Sequence, residues 1–204
     1  MSTKNITVWV DPICPWCWAT ARWLTEVIQP ERDLNITWKP ISLLMKNKPS
    51  PDFELYDRVT YTHQLLRVFE AIEAAEGNAA AFSFYRAAGE HIHHQENRFV
   101  EAVTLLEEVG LDASYAAAFD DESFDDVIKA KMAEGLARVG EDVGTPIIGF
   151  ESESGSVGVF GPVISRLLKG EEALAVWDAV DVLANTEGFW ELKRTRTEDP
   201  NFEL

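Results

Sequence analysis

The sequence predicts an α/β fold, a small sheet interrupted by a long all-helical insertion, on three observations. Runs rich in β-branched and aromatic residues lie near both ends of the chain and nowhere between. Residues 50–140 instead place apolar side chains at three- and four-residue steps, with no period-two alternation. The first strand-like run also passes directly into a helical one through Cys14-Pro15-Trp16-Cys17, which holds the only two cysteines in 204 residues.

In chain order, Ile6-Thr7-Val8-Trp9-Val10 reads as a buried strand. Pro12 and Pro15 shape the turn into a helix running through Trp18, Ala21, Trp23, Leu24 and Ile28, which Pro30 ends. Ile36, Trp38 and Ile41 mark a second strand over 36–42. Ser50-Pro51 signals a helix start, and Leu55, Val59, Thr62, Leu66, Phe69 and Ile72 follow on one face as far as Gly77-Asn78. Asn78 can cap a second helix carrying Phe82, Tyr85, Ala88 and Ile92. Further helical runs cover 99–109, 113–119 and 124–139, with Gly110 and Gly140 as stops. Strands return at 146–151 and 156–160, with a Gly-containing hairpin connection over 151–155. Helical runs near 162–168 and 171–185 close the fold, and the tail from 192 to 204 has no clear periodicity. The expected organisation is a thioredoxin-like domain formed by 1–49 and 141–204, with 50–140 as the helical insertion.

A Cys-x-x-Cys pair at a strand-to-helix junction is what a thioredoxin-like redox site requires. Free N–H groups and the dipole at a helix N-terminus favour a thiolate over a thiol, so Cys14 is the expected nucleophile. Cys17, one turn inside, resolves the mixed disulfide. Two other readings compete. Half of a zinc site would need two further ligands, and only His63, His91, His93 and His94 are on offer beyond the pair. A structural disulfide across so short a loop would add little chain-entropy stabilisation.

Composition narrows the function class. A formal charge of −17 argues against nucleic acid and against anionic membrane surfaces as partners. No apolar stretch approaches a bilayer span, and Met1-Ser2-Thr3-Lys4-Asn5 leads into a strand with no apolar leader region. The expected location is the cytoplasm, where thiols are kept reduced and a cysteine pair is more often catalytic than structural. No metal is expected, and no dinucleotide fingerprint is present.

The stretch Asp11-Pro12-Ile13-Cys14-Pro15-Trp16-Cys17-Trp18 resembles the active-site segment of cytosolic DsbA-like proteins. The resemblance tightens on mycothiol-dependent nitroreductases, also described as mycoredoxin-like. It also rests on His91-Ile92-His93-His94-Gln95-Glu96-Asn97, on Val139-Gly140-Glu141-Asp142-Val143-Gly144-Thr145-Pro146, and on the segment from Phe189 to Glu198. Phe160-Gly161-Pro162-Val163 and Gly170-Glu171-Glu172-Ala173 fit too. Within the histidine stretch, His94 and Glu96 stand where Asn and Gly are expected. The resemblance implies a thioredoxin fold with a helical insertion and an active-site disulfide reduced by mycothiol. It also implies flavin-free reduction of nitroaromatic compounds by some members.

Cys14 and Cys17 are thus the catalytic candidates. Pro15, Trp16, Thr145, Pro146, His93, Asn47 and Tyr56 are the substrate-binding candidates. Trp16 offers a flat apolar face for an aromatic ligand, or else packs on the insertion. Pro146 occupies the place of the cis proline of thioredoxin-like folds, which implies a cis Thr145–Pro146 bond and backbone groups of Thr145 offered to substrate, with a trans proline at the first residue of a strand as the alternative. His93 suits a proton donor or hydrogen-bond partner, with a surface position or helix-end capping as the alternative. Asn47 and Tyr56 are candidates by position only, at the start of the insertion, with loop or core roles as the alternative. Lys193, Arg194 and Arg196 form a basic cluster that either pairs with the acidic body or attracts an anionic group.

The expected function is thiol–disulfide oxidoreduction with no bound cofactor. Its partners are a low-molecular-weight thiol, mycothiol, and a small-molecule or protein disulfide substrate, and the protein acts as a monomer or homodimer. The alternatives are a protein disulfide isomerase or chaperone, and a thiol-cofactor-using isomerase or transferase. Relatives of the last kind commonly lack the second cysteine, so Cys17 counts against it.

Overall fold

The computed structural model describes residues 3–95, 97–152 and 155–202. Four strands form one sheet in the order β2-β1-β3-β4: β1 is Lys4–Val10, β2 Leu34–Pro40, β3 Ile147–Ser152 and β4 Gly155–Phe160. β1 and β3 are antiparallel, with Ile6 opposite Phe150 and Trp9 opposite Ile147. The β3–β4 pair is antiparallel too, from Ile147 opposite Phe160 to Ser152 opposite Gly155. Both strands therefore extend into the connection expected over 151–155, of which Glu153 and Ser154 lie outside the described residues.

Helix α1 is Pro15–Arg22, with proline in the first position, where its missing N–H costs nothing. A π-helical turn, Trp23–Ile28, continues it, with the Gln29 N–H donating to the Leu24 carbonyl at 2.8 Å. Between β2 and β3 the described elements are helical: α2 Leu43–Asn47, α3 Tyr56–Glu76, α4 Asn78–His93, α5 Ala102–Glu108 and α6 Asp125–Val139, with 3-10 segments Ala113–Asp120 and Glu122–Phe124. α7, Gly170–Ala184, follows β4. Among the described residues, no helix is long and apolar enough to cross a membrane.

The chain divides into two compact units, Met1–Trp9 with Pro15–Thr37 and Gly135–Leu204, and Val10–Cys14 with Trp38–Glu134. In the first, Trp9, Trp18, Trp23, Ile147, Ile148 and Trp177 are buried, and Trp23 meets Trp177 edge-on at 6.1 Å. A Cβ on Gly135 would lie 2.9 Å from the Trp9 ring, so the last turns of α6 need glycine there. In the second, Leu65, Leu66, Phe69, Phe84 and Leu105 form the core. Two ion pairs tie its helices together: Arg67 forks onto Asp125 at 2.6 and 3.0 Å, and Lys131 meets Glu70 at 2.6 Å.

Three element readings need correction. The helix signalled at Ser50-Pro51 begins only at Tyr56, because 50–55 makes successive turns instead, with Phe53 N–H on the Ser50 carbonyl and Tyr56 N–H on the Phe53 carbonyl. Gly77, not Asn78, is the N-cap of α4. The Asn78 amide is spent on the Trp38 backbone, accepting from its N–H at 2.8 Å and donating to its carbonyl at 2.7 Å. Residues 162–168 form no helix. The Pro162 carbonyl takes the Thr20 hydroxyl and the Ser165 carbonyl takes the Asn201 N–H, so these acceptors are used outside any helical ladder. The tail returns to Arg166 through an isolated bridge from Asn201, and Glu203 and Leu204 lie outside the described residues.

Candidate active site

Cys14 closes the turn that leaves β1, and α1 begins at the next residue, so Cys17 sits in its first turn. Both cysteines are buried, Cys14 6% exposed and Cys17 not at all, and the pair stands as two thiols. The first-turn N–H groups of a helix face the residue that precedes it, which puts partial positive charge beside a sulfur at position 14.

Sequence-local bonds build the turn before Cys14. The Cys14 N–H donates to the Asp11 carbonyl at 3.0 Å, and Asp11 Oδ1 accepts from the Ile13 N–H at 3.0 Å. This is an Asx-type turn, signalled in the sequence by Asp-Pro. Asp11 Oδ2 accepts from the Leu43 N–H at 2.7 Å, at the start of α2, whose N-cap is Ser42. Burial pushes the Asp11 carboxyl up from 3.8 to about 6, against the opposing pull of the Leu43 and Ile13 amides and the Thr62 side chain.

His93, the last residue of α4, reaches the same turn. Its Nε2 is 2.8 Å from the Pro12 carbonyl oxygen, which can only accept, so the ring donates from Nε2. Burial pushes its pKa down from 6.5 to about 4, against the upward pull of that carbonyl, and the imidazole is neutral at pH 7. His94 is exposed, and Glu96 lies outside the described residues.

Trp16 is half-buried, and the Arg196 guanidinium lies 5.3 Å from its ring centroid. With Thr197, Glu198 and Asp199 these two line an open cleft of about 440 Å³. Thr145 is buried, and the Thr145–Pro146 bond is cis, as the comparison with thioredoxin-like folds predicts; Gly161–Pro162 is cis as well. The β1–β3 register sets the entry of β3, which Pro146 precedes, beside the end of β1 from which the chain runs on to the cysteines.

Asn47 ends α2 and is exposed. With Leu43, Pro49, Phe53 and Val59 it lines a mainly apolar cavity of about 480 Å³. Tyr56 opens α3 half-buried, its N–H on the Phe53 carbonyl at 2.8 Å. Cys14, His93, Asn47 and Tyr56 thus belong to the second unit, and Pro15, Trp16, Cys17, Thr145 and Pro146 to the first. Sequence reasoning missed the side-chain role of Asp11, the existence of α2 and the seat of Arg196 over Trp16.

The model of one protein family, the Rv2466c-like family, described as mycothiol-dependent nitroreductase Rv2466c, matches residues 13–194. The chain belongs to that family. It is 26% identical over 192 residues to the "Uncharacterized protein Rv2286c" of Mycobacterium tuberculosis (strain ATCC 25618 / H37Rv), covering 92% of this chain and 80% of the relative. Among solved structures it is similar to the "probable DsbA oxidoreductase SCO1869" of Streptomyces coelicolor, with a TM-score of 0.60, 17% identity, and 95% and 94% of the two chains covered. It is also similar to Pseudomonas aeruginosa DsbA2, with a TM-score of 0.58, 19% identity, and 89% and 92% covered. The fold of this Rv2466c-like chain is therefore the α/β, thioredoxin-type fold with helices inserted, as its cysteine junction predicts.

Proposed function

We propose that this chain is a thiol–disulfide oxidoreductase that cycles Cys14 and Cys17 between dithiol and disulfide. The carrying observation is the placement of the chain's only two cysteines, one just before α1 and one in its first turn. In the reductive half, the dithiol gives two electrons and two protons to an acceptor. With an aromatic nitro compound these yield the nitroso compound and water. In the regenerating half, a first mycothiol thiolate opens the Cys14–Cys17 disulfide and a second displaces the mixed disulfide, leaving the dithiol and mycothiol disulfide. Membership of the Rv2466c-like family supports mycothiol as reductant and a nitroaromatic as acceptor.

In this reading Cys14 attacks and Cys17 resolves. Pro15 fixes the helix start, Trp16 offers an aromatic platform, and the Thr145–Pro146 backbone receives the substrate. Asn47, just before the helical insertion of residues 50–140, and Tyr56, near its start, contribute beside a thioredoxin-like domain formed by 1–49 and 141–204. His93, neutral at pH 7 and engaged with Pro12, serves better as a support for the cysteine turn than as an acid. The protein works in the cytoplasm, as a monomer or homodimer. The test is a reductant panel: oxidised protein is mixed with mycothiol, glutathione or a thioredoxin, and the thiols released are counted. Two protein thiols should appear with mycothiol and far more slowly with the others, and preference for another donor would refute the mycothiol assignment.

A further inference from the structure

Asp11 stands three residues before Cys14, is fully buried, and has no part in the thiol exchange just described. Among the described residues, every hydrogen-bond partner of its carboxylate is neutral: the Ile13 N–H at 3.0 Å, the Leu43 N–H at 2.7 Å and the Thr62 side chain. A buried carboxylate without a cation beside it is costly to maintain, so stability alone does not favour it here. What it supplies is acceptance on both oxygens. An asparagine would turn its NH2 group toward one of the two N–H donors, and a protonated acid would turn its O–H toward one. The Asp11 backbone carbonyl meanwhile holds the Cys14 N–H at 3.0 Å.

We propose that Asp11 is a positioning residue for Cys14: its carboxylate, accepting from Ile13 and Leu43 together, locks the turn that aims the sulfur, and losing one acceptor slackens that lock. The proposal rests on the reading of Cys14 as the attacking thiol. The donors come from the turn itself, from α2 (Leu43) and from α3 (Thr62). Among the described residues, the titratable groups around the turn are the Cys14 thiol, His93 on α4, which holds Pro12, and Arg58 on α3 and His94 at the end of α4, both of which act on His93. His93 is already neutral well above its lowered pKa of about 4, so the lock titrates with Asp11, near pH 6.

The test uses the full chain carrying Cys17→Ser, so that Cys14 is the only thiol. Its rate of mixed-disulfide formation with 5,5′-dithiobis(2-nitrobenzoate) is followed from pH 4.5 to 8.5, with and without Asp11→Asn. The parent should show two ionisations, one near pH 6, which Asp11→Asn removes while slowing the reaction at pH 7.5 roughly tenfold. In the parent, the Ile13 and Leu43 amide resonances should titrate with that same midpoint, and this readout stands even if the Asp11 variant fails to fold. Amide shifts that do not move near pH 6, or an Asp11→Asn protein that keeps both ionisations and reacts within twofold of the parent, would overturn the proposal alone. A Cys17→Ser protein that is unreactive at every pH would overturn the nucleophile assignment and the proposal together.

Discussion

Asp11 and His93 grip the same four-residue turn from opposite kinds of group. Asp11 accepts from the Ile13 and Leu43 N–H groups, and His93 donates to the Pro12 carbonyl at 2.8 Å. Cys14 is the last residue of that turn, so two titratable side chains hold the segment that carries the proposed nucleophile.

Their pH effects on stability have opposite signs. Asp11 is raised from 3.8 to about 6, so the folded state keeps its proton longer than the unfolded chain does. The stability this adds is fully present below 3.8 and lost as the pH rises through about 6. It amounts to ~3 kcal/mol over that window. His93 is lowered from 6.5 to about 4, so its contribution is present above 6.5 and lost as the pH falls through about 4, again ~3 kcal/mol. The two nearly cancel in the parent. Relative to it, His93→Gln should gain stability between pH 6.5 and 4.5, and Asp11→Asn should lose it, by urea unfolding at each pH. Variants that both track the parent would refute these protonation states.

Asn78→Ala should cost ~2–4 kcal/mol, because it orphans both the N–H and the carbonyl of the buried Trp38. Asn78→Asp keeps the acceptor and loses the donor, so its urea midpoint should fall between those of the parent and the alanine variant.

Gly135→Ala should also destabilise, although alanine is the better helix former. The added Cβ would sit 2.9 Å from the ring of Trp9, which is fully buried and cannot swing away. Overpacking of this kind costs ~1–3 kcal/mol, against a gain in helix propensity of at most ~1 kcal/mol. A variant with a raised melting temperature would show that the ring has room to move.

Trp16 and Arg196 separate ligand handling from thiol chemistry. Trp16→Ala should slow turnover of a nitroaromatic acceptor roughly tenfold or more, while mycothiol reduction of the Cys14–Cys17 disulfide stays within about twofold. Arg196→Ala should expose the Trp16 face and raise quenching of tryptophan fluorescence by acrylamide, since the guanidinium lies 5.3 Å from the ring. Equal loss in both half-reactions would make Trp16 a structural residue.

What the sequence makes legible is what local chemistry decides. The cysteine pair at the strand-to-helix junction, the long face from Val59 to Ile72 and the two late strands follow from spacing and residue type. α2 escapes because five residues are too few to show a period, and its start depends on Ser42 accepting from the Met45 N–H. Asp11 reads as an ordinary turn residue until Leu43 and Thr62 arrive from distant parts of the chain to bury it. Residues 162–168 read as helix because their apolar spacing permits one. The Thr20 hydroxyl and the Asn201 N–H claim their carbonyls instead, which local propensity could not reveal. Arg196 was legible as a charge and not as a partner for Trp16, because the tail that carries it has no period to place it.

The central claim is that Cys14 attacks and Cys17 resolves, and it is tested most directly by mapping the mixed disulfide that each single-cysteine variant forms with mycothiol disulfide. The account predicts a stable mycothiol adduct on Cys14 in the Cys17→Ser protein and almost none on Cys17 in the Cys14→Ser protein, by peptide mass spectrometry. An adduct that forms on Cys17 as fast as or faster than on Cys14 would contradict it.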